Sequence, residues 1–282
     1  MLLSFRKYQA LLNDYILFNA IDGMLKLSPT QIVELCHRRR GIGADGVLVV
    51  SREDGQYRME IFNADGSLAT MCGNGLRCVG KFLADTQRIP IGTRIPIRTR
   101  AGLRSVTVQQ HTPAASHVSA SMGSPRIVGQ YEFENRWFWH IDVGNPHIVH
   151  FLETNPNLNP LSQVVEHAVT IGPGLEHAMK GGVNVGFACT NGNEMALAVW
   201  ERGAGFTEAC GTGATAAVTA ARAAGKIPQS TIRVHQRGGD VDIVFTETEQ
   251  VFLEGVAHFV FCGDVILDLE PNSQQKCPVV SE

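Results

Sequence analysis

The sequence predicts an α+β fold made from two copies of one unit, and three observations carry that prediction. Short strand-like runs far outnumber helical ones. A Cys-Gly-polar-Gly turn occurs twice, as Cys72-Gly73-Asn74-Gly75 and as Cys210-Gly211-Thr212-Gly213. The polar landmarks upstream of the first turn recur in the same order upstream of the second.

The strand-like runs are 15–18, 47–50, 57–62, 105–108, 137–143, 148–151, 195–200, 241–245 and 256–261, rich in β-branched and aromatic residues and bounded by turn formers. Helices are few. One is predicted over 28–39, with Ser28-Pro29 as cap and first turn, and one after each cysteine turn. Another, over 161–168, leads to the punctuation Gly172-Pro173-Gly174. This balance points away from a repeating βαβ pattern.

The halves overlay through their polar residues. Asn13-Asp14-Tyr15 pairs with Asn145-Pro146-His147, and Gly43-Ala44-Asp45-Gly46 with Val183-Asn184-Val185-Gly186. Glu60-Ile61-Phe62-Asn63 pairs with Val199-Trp200-Glu201-Arg202, and the cysteine turns follow. The period is far too long for a solenoid and implies a duplicated domain with a ligand cleft between the copies. The boundary falls within 111–118, where Thr112-Pro113-Ala114-Ala115-Ser116 interrupts the strand pattern, giving domains 1–114 and 115–261.

The 282 residues are 44% hydrophobic and 18% charged with a net charge of −3, which excludes an electrostatic case for nucleic acid or an anionic membrane. Arg38-Arg39-Arg40 reads as charge at a helix C-terminus. No run is long and apolar enough to span a bilayer, and the start lacks a signal-peptide pattern. The seven cysteines are odd in number and contain no Cys-x-x-Cys, which predicts reduced thiols in the cytoplasm and no metal site. The polar tail over 271–282 is predicted to be disordered.

Cys36, Cys78, Cys189 and Cys262 read as core fillers. Cys72 and Cys210 do not, because duplicated glycines around each serve close backbone approach. A thiol at a helix N-terminus faces unpaired N–H groups and the positive end of the dipole, so its pKa is expected to fall from about 8.5 toward neutrality. A glycine-rich helix start also cradles anions, but without a P-loop Lys-Ser/Thr pair a carboxylate fits better than a triphosphate. Asn13, Asn63, Asn145 and Asn184 each read singly as turn residues, and their recurrence at equivalent strand ends makes them cleft candidates. Glu201-Arg202 is either a surface ion pair or, more in keeping with its place before Cys210, a cleft lining in which Arg grips a carboxylate. His147 is either a satisfied core histidine or a cleft group.

Together these segments, with Arg40-Gly41-Ile42-Gly43-Ala44-Asp45-Gly46, Ile61-Phe62-Asn63-Ala64-Asp65-Gly66 and Glu201-Arg202-Gly203-Ala204-Gly205, closely resemble the diaminopimelate epimerase family over nearly the whole chain. The resemblance implies two pseudo-symmetric domains, each a curled sheet or barrel around a central helix, with 262–282 returning to the first. It implies a homodimer and an isomerase that needs no cofactor and interconverts LL- and meso-diaminopimelate in lysine and peptidoglycan precursor synthesis. It makes Cys72 and Cys210 the acid–base pair, aided by His147 and Glu201. Gly73, Asn74, Gly211 and Thr212 would hold the reacting carboxylate through backbone N–H groups. Asn13 would hold the amino group, and Asn63, Asn145, Asn184, Glu201 and Arg202 the far end. Two further readings remain: a related racemase for another amino acid, and an inactive amino-acid-binding relative. The family's Gly-x-Gly-Asn-Asp run reads Ala10-Leu11-Leu12-Asn13-Asp14 here, so a leucine unable to take positive φ without strain is expected to send this loop along another path.

Overall fold

The computed structural model describes residues 1–153, 155, 157–177 and 179–267; the polar tail expected to be disordered lies outside them. The first half runs β1 (Leu2–Ala10), β2 (Asn13–Ala20), α1 (Pro29–Cys36), β3 (Gly46–Glu53), β4 (Gln56–Asn63), β5 (Leu68–Ala69), α2 (Gly73–Gln87), β6 (Arg94–Thr99), β7 (Gly102–His111) and β8 (Ala115–Gly123). After β9 (Arg126–Phe133) the plan repeats. It runs β10 (Arg136–Asp142), β11 (Pro146–Phe151), α3 (Pro160–Glu176), β12 (Asn184–Asn191), β13 (Glu194–Glu201), β14 (Gly205–Phe206), α4 (Gly211–Ala223), β15 (Thr231–Gln236), β16 (Gly239–Phe245) and β17 (Val251–Ile266).

The first ring closes through β1–β2–β3–β4–β6–β7–β8–β17 and back to β1. The second follows β9–β10–β11–β12–β13–β15–β16–β17. Long β17 joins the two: Val251 to His258 pair with β8, and beyond them the strand pairs with β1, Ile266 opposite Leu2. Each ring wraps one of the helices that follow a cysteine, α2 in the first and α4 in the second. Such a bore admits only small side chains at its tightest points. A Cβ at Gly80 of α2 would stand 2.7 Å from Val118, and α4 presents Ala214, Ala216, Ala217, Ala220 and Ala221, all wholly buried. One core joins both interiors, and satellite cores lie under α1 and α3.

The structure revises several local expectations. Ser28 caps α1 in a full capping box with Gln31, but the helix stops at Cys36 because His37 turns extended (φ −65°, ψ 118°). The arginines that follow are therefore not helical, and Arg38 reaches back to Asp14 and Asp45 at 2.9 and 2.7 Å. The helix expected over 161–168 continues to Glu176, through Pro173. Gly172 is there for packing and not as a stop, since a Cβ would lie 2.5 Å from that of Trp200. Thr112 to Ala115 form the turn of the β7–β8 hairpin.

The repeat also needs a new register. Phe62 pairs with Leu68 and Trp200 with Phe206, and each second partner lies four residues before its cysteine. Asn63 is thus equivalent to Glu201, not Arg202. Tyr15 faces Gly46 and His147 faces Asn184 in the matching parallel pairs, so Tyr15 and His147 are equivalent.

The Leu11-Leu12 loop keeps the glycine path. Ala10 pairs with Asn13, and Leu11 and Leu12 take φ of 56° and 62°, the signs of a type I′ turn that normally calls for Asn-Gly. Packing from the second half holds it there: a Cβ at Gly238 would stand 2.3 Å from the Leu11 carbonyl oxygen. Left-handed backbone costs a non-glycine residue roughly 1–2 kcal/mol, and Leu12 is 60% exposed, so little burial offsets that cost. Leu12→Gly is therefore expected to raise unfolding free energy by up to about 1 kcal/mol in reversible denaturation, net of the glycine entropy cost. A loss of stability would contradict strain at this site.

Candidate active site

Both cysteines are the N-caps of the two enclosed helices. Cys72 (φ −149°) and Cys210 (φ −124°) hold extended backbone while each Sγ accepts the N–H three residues on, from Gly75 and Gly213, both at 3.3 Å. The preceding N–H groups, of Gly73 and Asn74 and of Gly211 and Thr212, belong to the donors that an α-helix leaves without internal partners. The two N-termini abut: a Cβ on Gly211 would lie 3.4 Å from Asn74 Oδ1 and 3.7 Å from Gly73 Cα. A Cβ on Gly73 would meet Met122 Sδ at 3.1 Å and one on Gly211 would meet Leu253 of β17 at 3.2 Å, so neither position has ready room for a side chain. Two thiols and the first-turn N–H groups of two helices thus converge from opposite halves.

The surroundings of the thiols differ. Tyr15 Oη lies 2.8 Å from Cys72 Sγ and also contacts Asn13 Oδ1, while Asn13 Nδ2 donates to Asp45 at 3.0 Å. Cys210 Sγ lies 3.4 Å from Thr212 Oγ1, with the Glu201 carboxyl group close enough that each shifts the other's titration. Thr207 donates to Glu201 at 2.6 Å, and Gln236 accepts the Cys210 N–H at 2.8 Å. His147, 1% exposed, places Nε2 3.0 Å from Thr212 Oγ1 and 3.2 Å from Asn145 Oδ1, one hydroxyl removed from Cys210. Tyr15, Thr207 and Gln236 were not singled out from the sequence. Tyr15 was readable, because the Asn13–Asn145 match already sets it opposite His147.

The other candidates scatter in their bonding. Asn145 Nδ2 reaches Thr212 Oγ1 at 3.5 Å, and buried Asn74 accepts from Arg77 at 2.7 Å. Asn184 spends its amide on backbone, donating to Pro146 O at 2.8 Å and accepting the Arg202 N–H at 3.0 Å. The Arg202 guanidinium is exposed and anchored on the carbonyls of Gly181 and Gly182, at 3.0 and 3.4 Å. Asn63 is exposed and donates to Ser67 at 2.9 Å. The contacts of Asn63 and Arg202 do not tie them directly to the thiol pair.

Electrostatics overturn the expectation of thiols poised near neutrality. Burial pushes both up, beyond what the helix N-termini offset. Cys210 rises well above the ordinary value, by burial first and then by the Glu201 carboxylate. Cys72 rises less steeply because the Tyr15 hydroxyl and the Gly75 and Asn74 N–H groups favour its thiolate. Burial likewise raises Glu201, against the opposing Thr207 and Cys210 hydrogen bonds.

Burial, helped by Arg202, lowers His147 to about 3. A histidine depressed on folding stabilises fully above its unfolded value of about 6.5 and loses that contribution as pH falls toward 3. Stability is expected to drop by about 3 kcal/mol between pH 7 and pH 4 from this residue alone. His147→Gln should remove that component of the pH profile, and an unchanged acid limb would show that His147 is not its source.

The family model described as diaminopimelate epimerase matches residues 5–128 and 139–260. The chain belongs to the diaminopimelate epimerase family. It is 39% identical to the diaminopimelate epimerase of Synechococcus sp. (strain JA-3-3Ab), covering 93% of this chain and 97% of that one. It is 34% identical to that of Methanocaldococcus jannaschii, covering 94% and 99%. In structure it is similar to a hydroxyproline epimerase from Agrobacterium vitis, with a TM-score of 0.66 at 15% identity over 96% of this chain and 93% of that one, a likeness of fold. The expected fold, two pseudo-symmetric α+β units each curled around a central helix, stands. The family makes the chain an isomerase of the epimerase type. Among the described residues no helix is long and apolar enough to cross a membrane.

Proposed function

We propose that this enzyme interconverts LL- and meso-2,6-diaminopimelate by a two-thiol mechanism without a cofactor, in the synthesis of lysine and peptidoglycan precursors. The observation that carries the reading is the abutting pair of cysteine-capped helix N-termini. The Cα–H bond breaks as one cysteine thiolate takes the proton, and the other cysteine, as a thiol, gives its proton to the opposite face. The thiol and thiolate have then exchanged roles, and the reverse reaction runs through the same states. Charge left on the α-carbon spreads into the adjacent carboxylate, which we assign to the N–H groups of Gly73, Asn74, Gly211 and Thr212.

Glu201 supports the Cys210 side: a carboxyl group raised by burial can accept the thiol proton when Cys210 has to act as base. Neutral His147 orients the Thr212 hydroxyl toward Cys210. We assign the amino group to Asn13 and the far end of the substrate to Asn63, Asn145, Asn184, Glu201 and Arg202, with Arg202 as the cation for the second carboxylate. Asn184 acts there by fixing the Arg202 backbone. The same reading takes 1–114, joined by β8 of the first ring, and the rest of 115–261 as the two copies, 262–267 as returning to the first, and the active form as a cytoplasmic homodimer with no nucleic-acid partner.

Incubation with LL-diaminopimelate in deuterated water under reducing conditions should yield the meso isomer and incorporate deuterium at the α-carbon. Absence of both would overturn the proposal, and exchange into a different amino acid alone would favour the related racemase.

A further inference from the structure

Tyr15 is 5% exposed, in the strand next to the first catalytic turn, and its hydroxyl touches two groups at once, Cys72 Sγ and Asn13 Oδ1. Asn13 cannot trade its oxygen for its nitrogen, because Nδ2 is committed to Asp45, itself held by Arg38. Tyr15 therefore faces one fixed acceptor, Asn13 Oδ1, and one group, Cys72 Sγ, that donates as a thiol and accepts as a thiolate. With Cys72 as a thiol, the Tyr15 proton satisfies Asn13 and the S–H points to the Tyr15 oxygen. With Cys72 as a thiolate, rotation about the C–O bond turns the same proton onto sulfur. No proton changes owner in this rearrangement.

Resting on the two-thiol reading above, we propose that Tyr15 is a positioning residue whose rotating hydroxyl stabilises the Cys72 thiolate, so that Cys72 and not Cys210 carries the negative charge of the pair at rest. The repeat sharpens the point. Its equivalent, His147, bonds to Thr212 rather than to sulfur, and Cys210 faces the Glu201 carboxylate, an acceptor that favours the thiol. Cys72 has a phenol at 2.8 Å, whereas Cys210 has the more distant Thr212 hydroxyl at 3.4 Å and, working against it, the Glu201 carboxylate, so a symmetric pair of turns becomes an ordered base and acid. The remaining groups around Cys72 and Tyr15 are Glu201 and Asp45, which oppose negative charge there, Cys78, a buried neutral thiol, and Arg77, a buried cation that favours it. None of these hydrogen-bonds to Cys72 Sγ in place of Tyr15.

The test reads the thiol without turnover. The rate of iodoacetamide alkylation at Cys72 is followed against pH by peptide mass spectrometry, in the whole enzyme without substrate. A hydrogen bond to a charged group is worth about 1.5–3 kcal/mol, so Tyr15→Phe should move the Cys72 profile up by about one pH unit or more. Alkylation below that midpoint should slow at least about tenfold, while the Cys210 profile stays in place. Site-specific 3-fluorotyrosine at position 15, a stronger donor of nearly the same shape, should shift the Cys72 profile down. An unmoved Cys72 profile in both variants would overturn the proposal, and so would equal shifts at both cysteines. Failure of the wild type to turn over diaminopimelate would sink the substrate assignment and leave the alkylation result standing.

Discussion

Cys72→Ser and Cys210→Ser are each expected to lower the rate of diaminopimelate inversion by about 10³-fold or more, the scale of a lost general acid or base. A serine hydroxyl in the same buried N-cap position ionises far less readily than a thiol. The two readouts should separate. In either variant the remaining thiol can still remove a proton and return one on its own face, so exchange with solvent deuterium should survive better than inversion. That separation follows from placing one sulfur on each abutting helix terminus. Inversion within tenfold of wild type in either variant would show that the cysteine is not one of the two proton carriers.

Lys81→Met is expected to cause the largest loss of stability of any single change considered, about 3–5 kcal/mol. Lys81 lies wholly buried in the first barrel, bonded to Asp85 and to the carbonyls of Thr112 and Pro113 at 3.0 and 3.1 Å. Tyr8 completes the network with a 2.8 Å bond to Asp85. Removing the ammonium leaves a partly buried carboxylate without its cation and two carbonyls at the β7–β8 turn without their donor. At 2–4 °C per kcal/mol for a chain of this scale, Tm should fall by roughly 6–20 °C. Lys81→Met combined with Asp85→Leu should recover much of the loss, because both charges go together. A Tm unchanged by Lys81→Met would mean that the buried pair contributes nothing net.

Why Lys81 escaped a reading of the sequence is instructive. On α2 it looks like an ordinary solvent-facing helix charge. It is buried because the helix threads a closed barrel, and closure depends on β17 returning to β1 from the far end of the chain. The same closure hides Arg77, whose two terminal nitrogens bind Asn74 and the Val256 carbonyl. In the second helix the matching positions are Thr215 and Thr219, which bond to their own helix backbone. The duplication is thus visible in the turns and strands, while the two central helices have diverged inside.

The local chemistry was largely readable. Cysteine before a glycine-polar-glycine turn specifies an N-capping thiol whatever surrounds it, because the cap needs only the next three N–H groups. The pairing of Asn13 with Asn145 was readable for the same reason, as Asn13 opens β2 and Asn145 stands immediately before β11. The exact register of the middle strands was not, since hydrophobic alternation repeats every two residues and tolerates a slip until hydrogen bonding pins it. The Leu11-Leu12 turn shows the converse: propensity argued against left-handed backbone, and packing on Gly238 outweighed a cost of about 1–2 kcal/mol per residue.

The sequence by itself determined that two activated-looking thiols sit at two helix starts in a duplicated α+β chain. Only the tertiary structure decided that those starts abut, that burial raises both thiols instead of leaving them near neutrality, and that a phenol faces one sulfur and a carboxyl group the other. Desolvation and cross-barrel contacts depend on which distant atoms exclude water from a site, and that is a property of the closed chain, not of any segment of it.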